Sequence, residues 1–135
     1  MSKKESEKYI LTLSPEQAFI VERACEVYAR LLIGQFNAIS DELALRTKDF
    51  SDNRHMVNDL LNVAARLVFG ENPPGRPDVK TTNEHHRAWS VYEVLRYARC
   101  WHEHPEGGWG VCFDTPMSML MESLPTCEIK EEGVK

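Results

Sequence analysis

Hydrophobic residues recur at three- and four-residue intervals in three long stretches of the chain, 14–39, 52–69 and 83–102. This spacing places the apolar side chains on one face of a helix, so the pattern predicts three main helices. The Ser-Pro-Glu-Gln sequence at Ser14 supplies an N-cap, a proline in the first turn and a glutamine that can close a capping box. The first helix is therefore expected to begin at Ser14 and to continue to about Ile39.

The apolar arc of this first helix covers about half of its circumference, which is wider than the stripe of a surface helix. We therefore expect the helix to be central or to lie at an oligomer interface. Gln35 falls within the arc, and a buried amide needs a hydrogen-bond partner, either a helix end, Tyr28 or a ligand. The residues of the arc are Ile20, Ala24, Cys25, Val27, Tyr28, Leu31, Leu32, Phe36 and Ile39.

Two short segments alternate apolar and other residues, as a half-buried strand does: 9–13 and 109–113. They predict a small two-stranded antiparallel sheet, so the expected fold class is mainly α (α+β). The Pro-Glu-Gly-Gly sequence at 105–108 would turn the third helix into the second strand. The expected domain organisation is a disordered leader over 1–8, one helical domain over 9–124 with a docking helix at 117–124, and a flexible tail over 125–135.

Composition excludes several classes of protein. The net charge of -5 argues against a protein that coats polymeric nucleic acid, because such a protein needs a basic surface. No apolar run approaches the length of a membrane span, and residues 1–8 lack the apolar region of a signal peptide. The four cysteines are isolated from one another, which predicts free thiols in a reducing cytoplasm.

The usual signatures of catalysis are missing. His85 and His102 lie at opposite ends of the third helix, about 25 Å apart at 1.5 Å per residue, so they cannot share a metal ion. There is no nucleophile elbow, and Gly107-Gly108 follows a helix instead of opening one, so it is no phosphate-binding loop. We therefore expect no catalytic residues, no metal and no cofactor.

Arginines and aromatic residues interleave on the first and third helices, which favours binding of a planar anion. Trp89 and Arg96 share a stripe and can stack on a planar ligand, or can form a contact between subunits. Arg99 lies in the apolar arc of the third helix and needs a carboxylate, for which Glu16, Glu106 and Asp114 are candidates. The predicted ligand-binding residues are Arg30, Gln35, Trp89, Arg96, Arg99 and His102.

Arg30 has a second interpretation, which it shares with Arg23, seven residues earlier on the same polar face. The pair can be solvated charge neutralised by Glu22 and Glu26. Alternatively it can face an anion, with Phe19 between the two arginines in projection.

Three segments resemble a family of small proteins that recur in bacteriophage and prophage genomes. They are VYARLLIGQFNAI (27–39), HHRAWSVYEVLRYARCWHEHPEGG (85–108) and VCFDTP (111–116). Similar sequences often have an acidic residue where this chain has Ser90, so no acid/base role is expected there. The resemblance implies a phage-borne accessory protein in the cytoplasm of an infected or lysogenic bacterium, of a kind that often blunts bacterial immunity.

The leading hypothesis is a non-enzymatic binding protein that sequesters a nucleotide-derived immune signal, a small anionic ligand, as a homo-oligomer. The alternative is a protein–protein inhibitor or regulatory module. In that case the wide apolar face of the first helix and the Met-rich segment 117–124 would dock a host protein. A small nucleotide hydrolase is the third hypothesis.

Overall fold

The computed structural model describes residues 7–45, 47, 51–71 and 81–131. This part of the chain is mainly helical. The α-helices are α1 (Pro15–Leu32), α2 (Asn37–Ala44), α3 (Arg54–Phe69) and α4 (Asn83–Glu103), with single 3₁₀ turns at Ser51–Asn53 and Val111–Phe113. The predicted leader residues 1–6, the proline-rich segment 72–80 and the tail residues 132–135 lie outside the described residues.

Local capping chemistry fixes where the two longest helices begin. The Ser14 hydroxyl accepts a hydrogen bond from the Gln17 amide at 3.1 Å, and the Gln17 side chain accepts one from the Ser14 amide at 3.0 Å. This reciprocal pair is the predicted capping box. Thr82 caps α4 in the same way, because its hydroxyl accepts from the His85 amide at 3.2 Å. These two caps start α1 and α4, which pack along each other as the main helix pair of the fold.

The first helix is shorter than the sequence predicts. It ends at Leu32 because Gly34 adopts a φ of 82°, which lies in the left-handed region, and the chain restarts as α2 at Asn37. The single helix predicted to reach Ile39 is therefore wrong. The break lets α2 fold onto α3, where Phe36 and Phe69 meet edge to face with ring centroids 6.0 Å apart.

The predicted two-stranded sheet is wrong, because the described residues contain no strand. Segment 9–13 has no regular secondary structure, and Tyr9 and Ile10 are each 96% exposed. Segment 109–113 cannot continue as a strand because Gly110 has a φ of 122° and Phe113 donates its amide to the Gly110 carbonyl at 3.2 Å. The fold class is therefore helical without the expected sheet.

An aromatic cluster replaces the sheet at the C-terminal end of α4. The Trp101 ring packs edge to face on Phe113 at 5.3 Å between centroids, and its indole N–H donates to the Phe113 carbonyl at 3.3 Å. Gly108 lies against the Phe113 ring, and a Cβ atom built there would be 2.8 Å from it. The glycine pair therefore permits the close approach of the turn to the ring. The Met-rich segment 117–124, predicted as a docking helix, is not helical.

Burial is unevenly distributed in the described residues. The buried apolar residues are few and mostly small, namely Ala29, Ala38, Ala65, Tyr92 and Cys100. On α1 the buried positions are Glu22 and Ala29, whereas Ile20 is 65% exposed and Tyr28 is 45% exposed. The arc residues Ile20, Ala24, Val27 and Leu31 therefore lie on the side of α1 away from α4, and a face that contains Glu22 and Ala29 packs against α4.

None of the described helices is both long enough and apolar enough to cross a lipid bilayer.

Candidate functional site

A buried ion pair joins the two main helices. Arg99 of α4 donates to both carboxylate oxygens of Glu22 on α1, from Nε at 3.0 Å and from Nη2 at 2.7 Å. The Glu22 side chain is 3% exposed and that of Arg99 is 37% exposed. These hydrogen bonds raise the pKa of Arg99 further above its ordinary value. The partner that Arg99 requires is therefore Glu22, and the candidates Glu16, Glu106 and Asp114 were wrong.

Glu26 is the centre of a second polar cluster, one turn along α1 from Glu22. Arg23 donates to it at 2.9 Å, Arg30 donates at 3.2 Å, and the Tyr92 hydroxyl hydrogen-bonds it across the helix pair. Burial alone would raise the pKa of Glu26, but the hydrogen bond from Tyr92 and the two arginines outweigh burial and lower it. Arg23 also pairs with Glu42 of α2. This arrangement joins α1 to α2 by an ion pair and α1 to α4 through the Tyr92 hydroxyl.

Three of the six predicted site residues meet at the N-terminal end of α4. The Arg30 guanidinium lies over the Trp89 ring at 5.3 Å from its centroid, and Nη1 donates to the Gln35 side-chain oxygen at 2.7 Å. His85 stacks on the indole of Trp89, with ring centroids 6.2 Å apart and an angle of 25° between the ring planes. His85 is itself fixed, because its Nδ1 lies 2.7 Å from the Ala29 carbonyl, which can only accept, so that nitrogen carries the proton. Gln35 thus binds Arg30, neither a helix end nor Tyr28.

The other predicted residues lie farther along α4. Arg96 stands over the Tyr92 ring at 4.8 Å and donates Nη1 to its hydroxyl at 2.9 Å, while its Nε is buried without a described partner. His102 is at the end of the helix, 3.8 Å from Glu131. Since Trp89 and His102 are separated by about 20 Å along the helix axis, the six residues do not converge on one point.

Two hollows in the described part of the chain lie elsewhere. An open groove of about 470 Å³ runs along the outer face of α1 and is lined mainly by Phe19, Ile20, Ala24, Val27, Tyr28 and Leu31. Arg23 and Glu42, which pair with each other, complete its lining. We call it the α1 groove. A smaller hollow of about 250 Å³ lies between α4 and the 118–125 segment, where Arg87 pairs with Glu122 at 2.8 Å. Neither is lined by any of the six predicted residues.

Glu26 pairs with both Arg23 and Arg30, as the first interpretation of these two arginines predicts. Sequence reasoning missed Glu22 as the partner of Arg99 and Tyr92 as the residue of α4 that contacts Glu26. A signal was present, because Glu22 and Ala29 are seven residues apart and therefore lie on one face, with Cys25 and Glu26 between them. If this small and acidic stripe is taken as the inner face, it offers Glu22 to Arg99 of α4. The apolar stripe on the other side was the stronger pattern and concealed it.

The described residues contain no cluster of three or more histidine, cysteine or acidic side chains arranged to hold a metal ion. Burial raises the pKa of the Cys25, Cys100 and Cys127 thiols, so none of these three is activated as a nucleophile. The chain matches no protein-family model, and it has no match among the curated proteins or among the solved structures. The resemblance to phage accessory proteins therefore stays a prediction.

Proposed function

We propose that this protein is a non-enzymatic binding module that takes the apolar face of an amphipathic helix from a host protein into the α1 groove. The observation that carries this proposal is the outward-facing apolar stripe of α1. Ile20, Ala24, Val27 and Leu31 follow one another at intervals of four, three and four residues, and Ile20 is 65% exposed. This is the spacing with which one helix packs against another.

The chemistry of the groove suits a helix better than a small anion. Its lining is dominated by apolar side chains, and its two charged residues, Arg23 and Glu42, neutralise each other. A helix that binds in a groove contacts it through residues spaced three and four apart. The residues of α1 that line this groove have the same spacing. Apolar surface exposed in a continuous strip is typical of interaction sites on soluble domains. In a phage setting, the protein would act in the cytoplasm of the infected or lysogenic bacterium.

Site-specific photocrosslinking tests this proposal. The chain is expressed in a bacterial host with benzoylphenylalanine in place of Ile20, and in a second variant in place of Leu45, which is 72% exposed but does not line the groove. We expect the probe at position 20 to capture one host protein through a helical segment, and the probe at position 45 not to capture it. A synthetic peptide of that segment should then bind the purified chain and should lose binding to an Ile20→Lys variant. Equal crosslinking at both positions would contradict the proposal.

A second candidate function rests on a different observation, the Arg30–Trp89 stack beside Gln35. An arginine over an indole, with an amide at its edge, can admit a purine base or a phosphate if Arg30 exchanges its present partners for the ligand. Such a protein would sequester a nucleotide-derived immune signal. The Arg30 side chain is 36% exposed, so a ligand can reach it.

A thermal-shift screen tests this candidate with cyclic di- and trinucleotides and with ADP-ribose as probes. A ligand at a hundred times its dissociation constant stabilises the folded state by about 2.7 kcal/mol, which raises the unfolding temperature measurably. An Arg30→Gln variant should lose the shift. The matched control is Arg87→Gln, which removes an arginine of α4 that pairs with Glu122 away from the stack. The absence of a shift with every probe would reject nucleotide sequestration and leave the peptide-binding proposal untouched.

A further inference from the structure

A second unpartnered apolar stripe runs along α3. Met56, Leu60, Val63 and Leu67 are 56%, 71%, 47% and 82% exposed, and they follow one another at intervals of four, three and four residues. This is a strict 3.5-residue repeat, the spacing of the narrow seam along which two helices pair in a coiled coil. We call these four residues the α3 seam.

The opposite side of α3 is the one that packs within the chain. Ala65 is buried, Asn58 accepts a hydrogen bond from Ser40 of α2, and Phe69 meets Phe36. Among the described elements, α3 packs on α2 and on the 3₁₀ turn that precedes it. Since α2 has only eight residues and lies on that inner side, no described element covers the seam.

We propose that the α3 seam is a homodimer interface in which α3 pairs antiparallel with α3 of a second copy of this chain. Across the two-fold axis, Leu60 would lie opposite the Val63 of the second copy, and Met56 opposite its Leu67. These pairs form four successive layers of side chains along the interface. Each layer combines one larger side chain with one smaller or more flexible side chain, so no layer is left empty. A two-fold axis satisfies both copies with the same surface.

Charge complementarity selects this pairing. Asp59 and Arg66 flank the seam on one side, both are exposed, and neither forms an ion pair with a described residue. In an antiparallel pair the two positions that flank the same side of the seam face each other, so Asp59 meets the Arg66 of the second copy, twice per dimer. In a parallel pair Asp59 would face Ala64, and both charges would go unused.

The α1 groove fits the α3 seam less well by the same criterion. Its stripe is flanked on the equivalent side by Arg23 and Arg30. Pairing α1 with a second α1 would bring these arginines face to face. Pairing it antiparallel with α3 would bring Arg23 to Arg66 and Arg30 to Asp59, so only one of these two contacts would be favourable. The second copy of α3 is therefore the occupant that the charges favour, and the α1 groove is left for a different partner.

The area available is near what a specific dimer needs. Each of the four seam side chains offers on the order of 100 Å² of apolar surface, which amounts to roughly 800 Å² over two copies. The flanking charged side chains add to this area, and α3 with its 16 residues is about 24 Å long. The total approaches the roughly 1,000 Å² that separates specific interfaces from incidental contacts.

Sedimentation velocity of the full chain over a range of concentrations tests the proposal. We expect the wild type to reach twice its monomer mass of 15.5 kDa. Val63→Lys should shift the population to monomer, because it places a charge in the seam. The matched control is Val68→Lys, which makes the same change at a 65% exposed position of the same helix outside the seam, and it should stay dimeric. Far-UV circular dichroism must show the same helix content in both. A monomeric wild type, or identical behaviour of the two variants, would overturn the proposal.

Charge reversal tests the orientation. Asp59→Arg alone gives four like charges at the interface, and Arg66→Asp alone does the same with the other sign. Each should raise the dimer dissociation constant about tenfold, a change that corresponds to 1.4 kcal/mol. Mixing the two variants should restore dimerisation as a mixed pair, and added salt should weaken both effects. A dimer that Val63→Lys breaks but that neither charge reversal affects would contradict antiparallel pairing. These variants leave the α1 groove and the Arg30–Trp89 stack intact, so their outcome is independent of the proposed function.

Discussion

Removing the Arg99 guanidinium should destabilise the fold more than removing its partner does. In an Arg99→Met variant the Glu22 carboxylate, whose side chain is 3% exposed, keeps its charge but loses both hydrogen bonds. Stranding a buried charge costs about 3–5 kcal/mol when its partner is also buried. Because Arg99 is itself 37% exposed, water can enter once the side chain is shortened, and we reduce the expected cost to about 2–3 kcal/mol.

The reverse change should be mild. In Glu22→Leu the Arg99 side chain can turn toward water and toward Glu103, which already lies 3.6 Å away, so the expected cost is about 1 kcal/mol or less. The double variant replaces the pair by two apolar side chains of similar size and should be close to the wild type in stability. The double-mutant cycle should therefore give a coupling energy of about 3 kcal/mol, with Glu22→Leu rescuing Arg99→Met.

Urea denaturation followed by circular dichroism measures these differences, with the protein concentration held constant because dimerisation would contribute to stability. The control is Arg54→Met, which removes an arginine from the exposed pair with Asp41 (2.6 Å between Nη2 and Oδ1) and should change stability by less than about 1 kcal/mol. The reasoning is refuted if Arg99→Met costs no more than Arg54→Met, or if Glu22→Leu adds to the loss instead of reversing it.

Three further results are expected. The pKa of Glu26 is lowered from 4.5, so its contribution to stability is present above the unfolded-state pKa and is lost as the pH falls below about 4.5. Glu26→Gln should remove that part of the acid dependence of stability in urea titrations. An unchanged slope of stability against pH would count against this prediction. Gly108→Ala should cost about 1–3 kcal/mol, because its Cβ would lie 2.8 Å from the Phe113 ring, and a Gly108→Ala/Phe113→Leu double variant should recover part of the loss in thermal unfolding. Burial and the neighbouring Cys112 raise the pKa of the Cys100 thiol to about 11. Iodoacetamide should therefore label Cys100 slowly at pH 9, where about 1% is thiolate, and much faster near pH 11. Labelling at the unfolded-chain rate at pH 9, measured by mass spectrometry, would disprove this.

Some of the fold was readable from local chemistry. The capping box at Ser14 was predicted because capping depends on residues within one turn of each other. The end of α3 was readable too, since Gly70 follows its last residue and adopts a φ of 76°. The break after Leu32 was not predicted, although Gly34 marks it, because a glycine inside a helical pattern can be tolerated or can end the helix.

The sheet prediction failed for a reason that lies outside the two segments. Alternation in 9–13 and 109–113 permits a strand but does not create one, since a strand needs a neighbour to receive its backbone hydrogen bonds. The Trp101 ring packs on the Phe113 ring, and the Trp101 indole N–H donates to the Phe113 carbonyl. These contacts bend 111–113 into a 3₁₀ turn. The competing contact depends on the end of α4, which the alternation of the segments themselves cannot reveal.

The sequence by itself determined the helical character of the chain, the positions at which its helices are capped, and the residue types available for binding, because these depend on spacing within a few residues. The tertiary structure alone decided which face of each helix is inside. On α1 the acidic and small face packs inward, since Glu22 pairs with Arg99 and Glu26 contacts Tyr92 of α4, and the apolar face is left exposed. Periodicity shows that a helix has two different faces. Only the partner that each face meets determines which one is buried, and that partner is distant in the sequence.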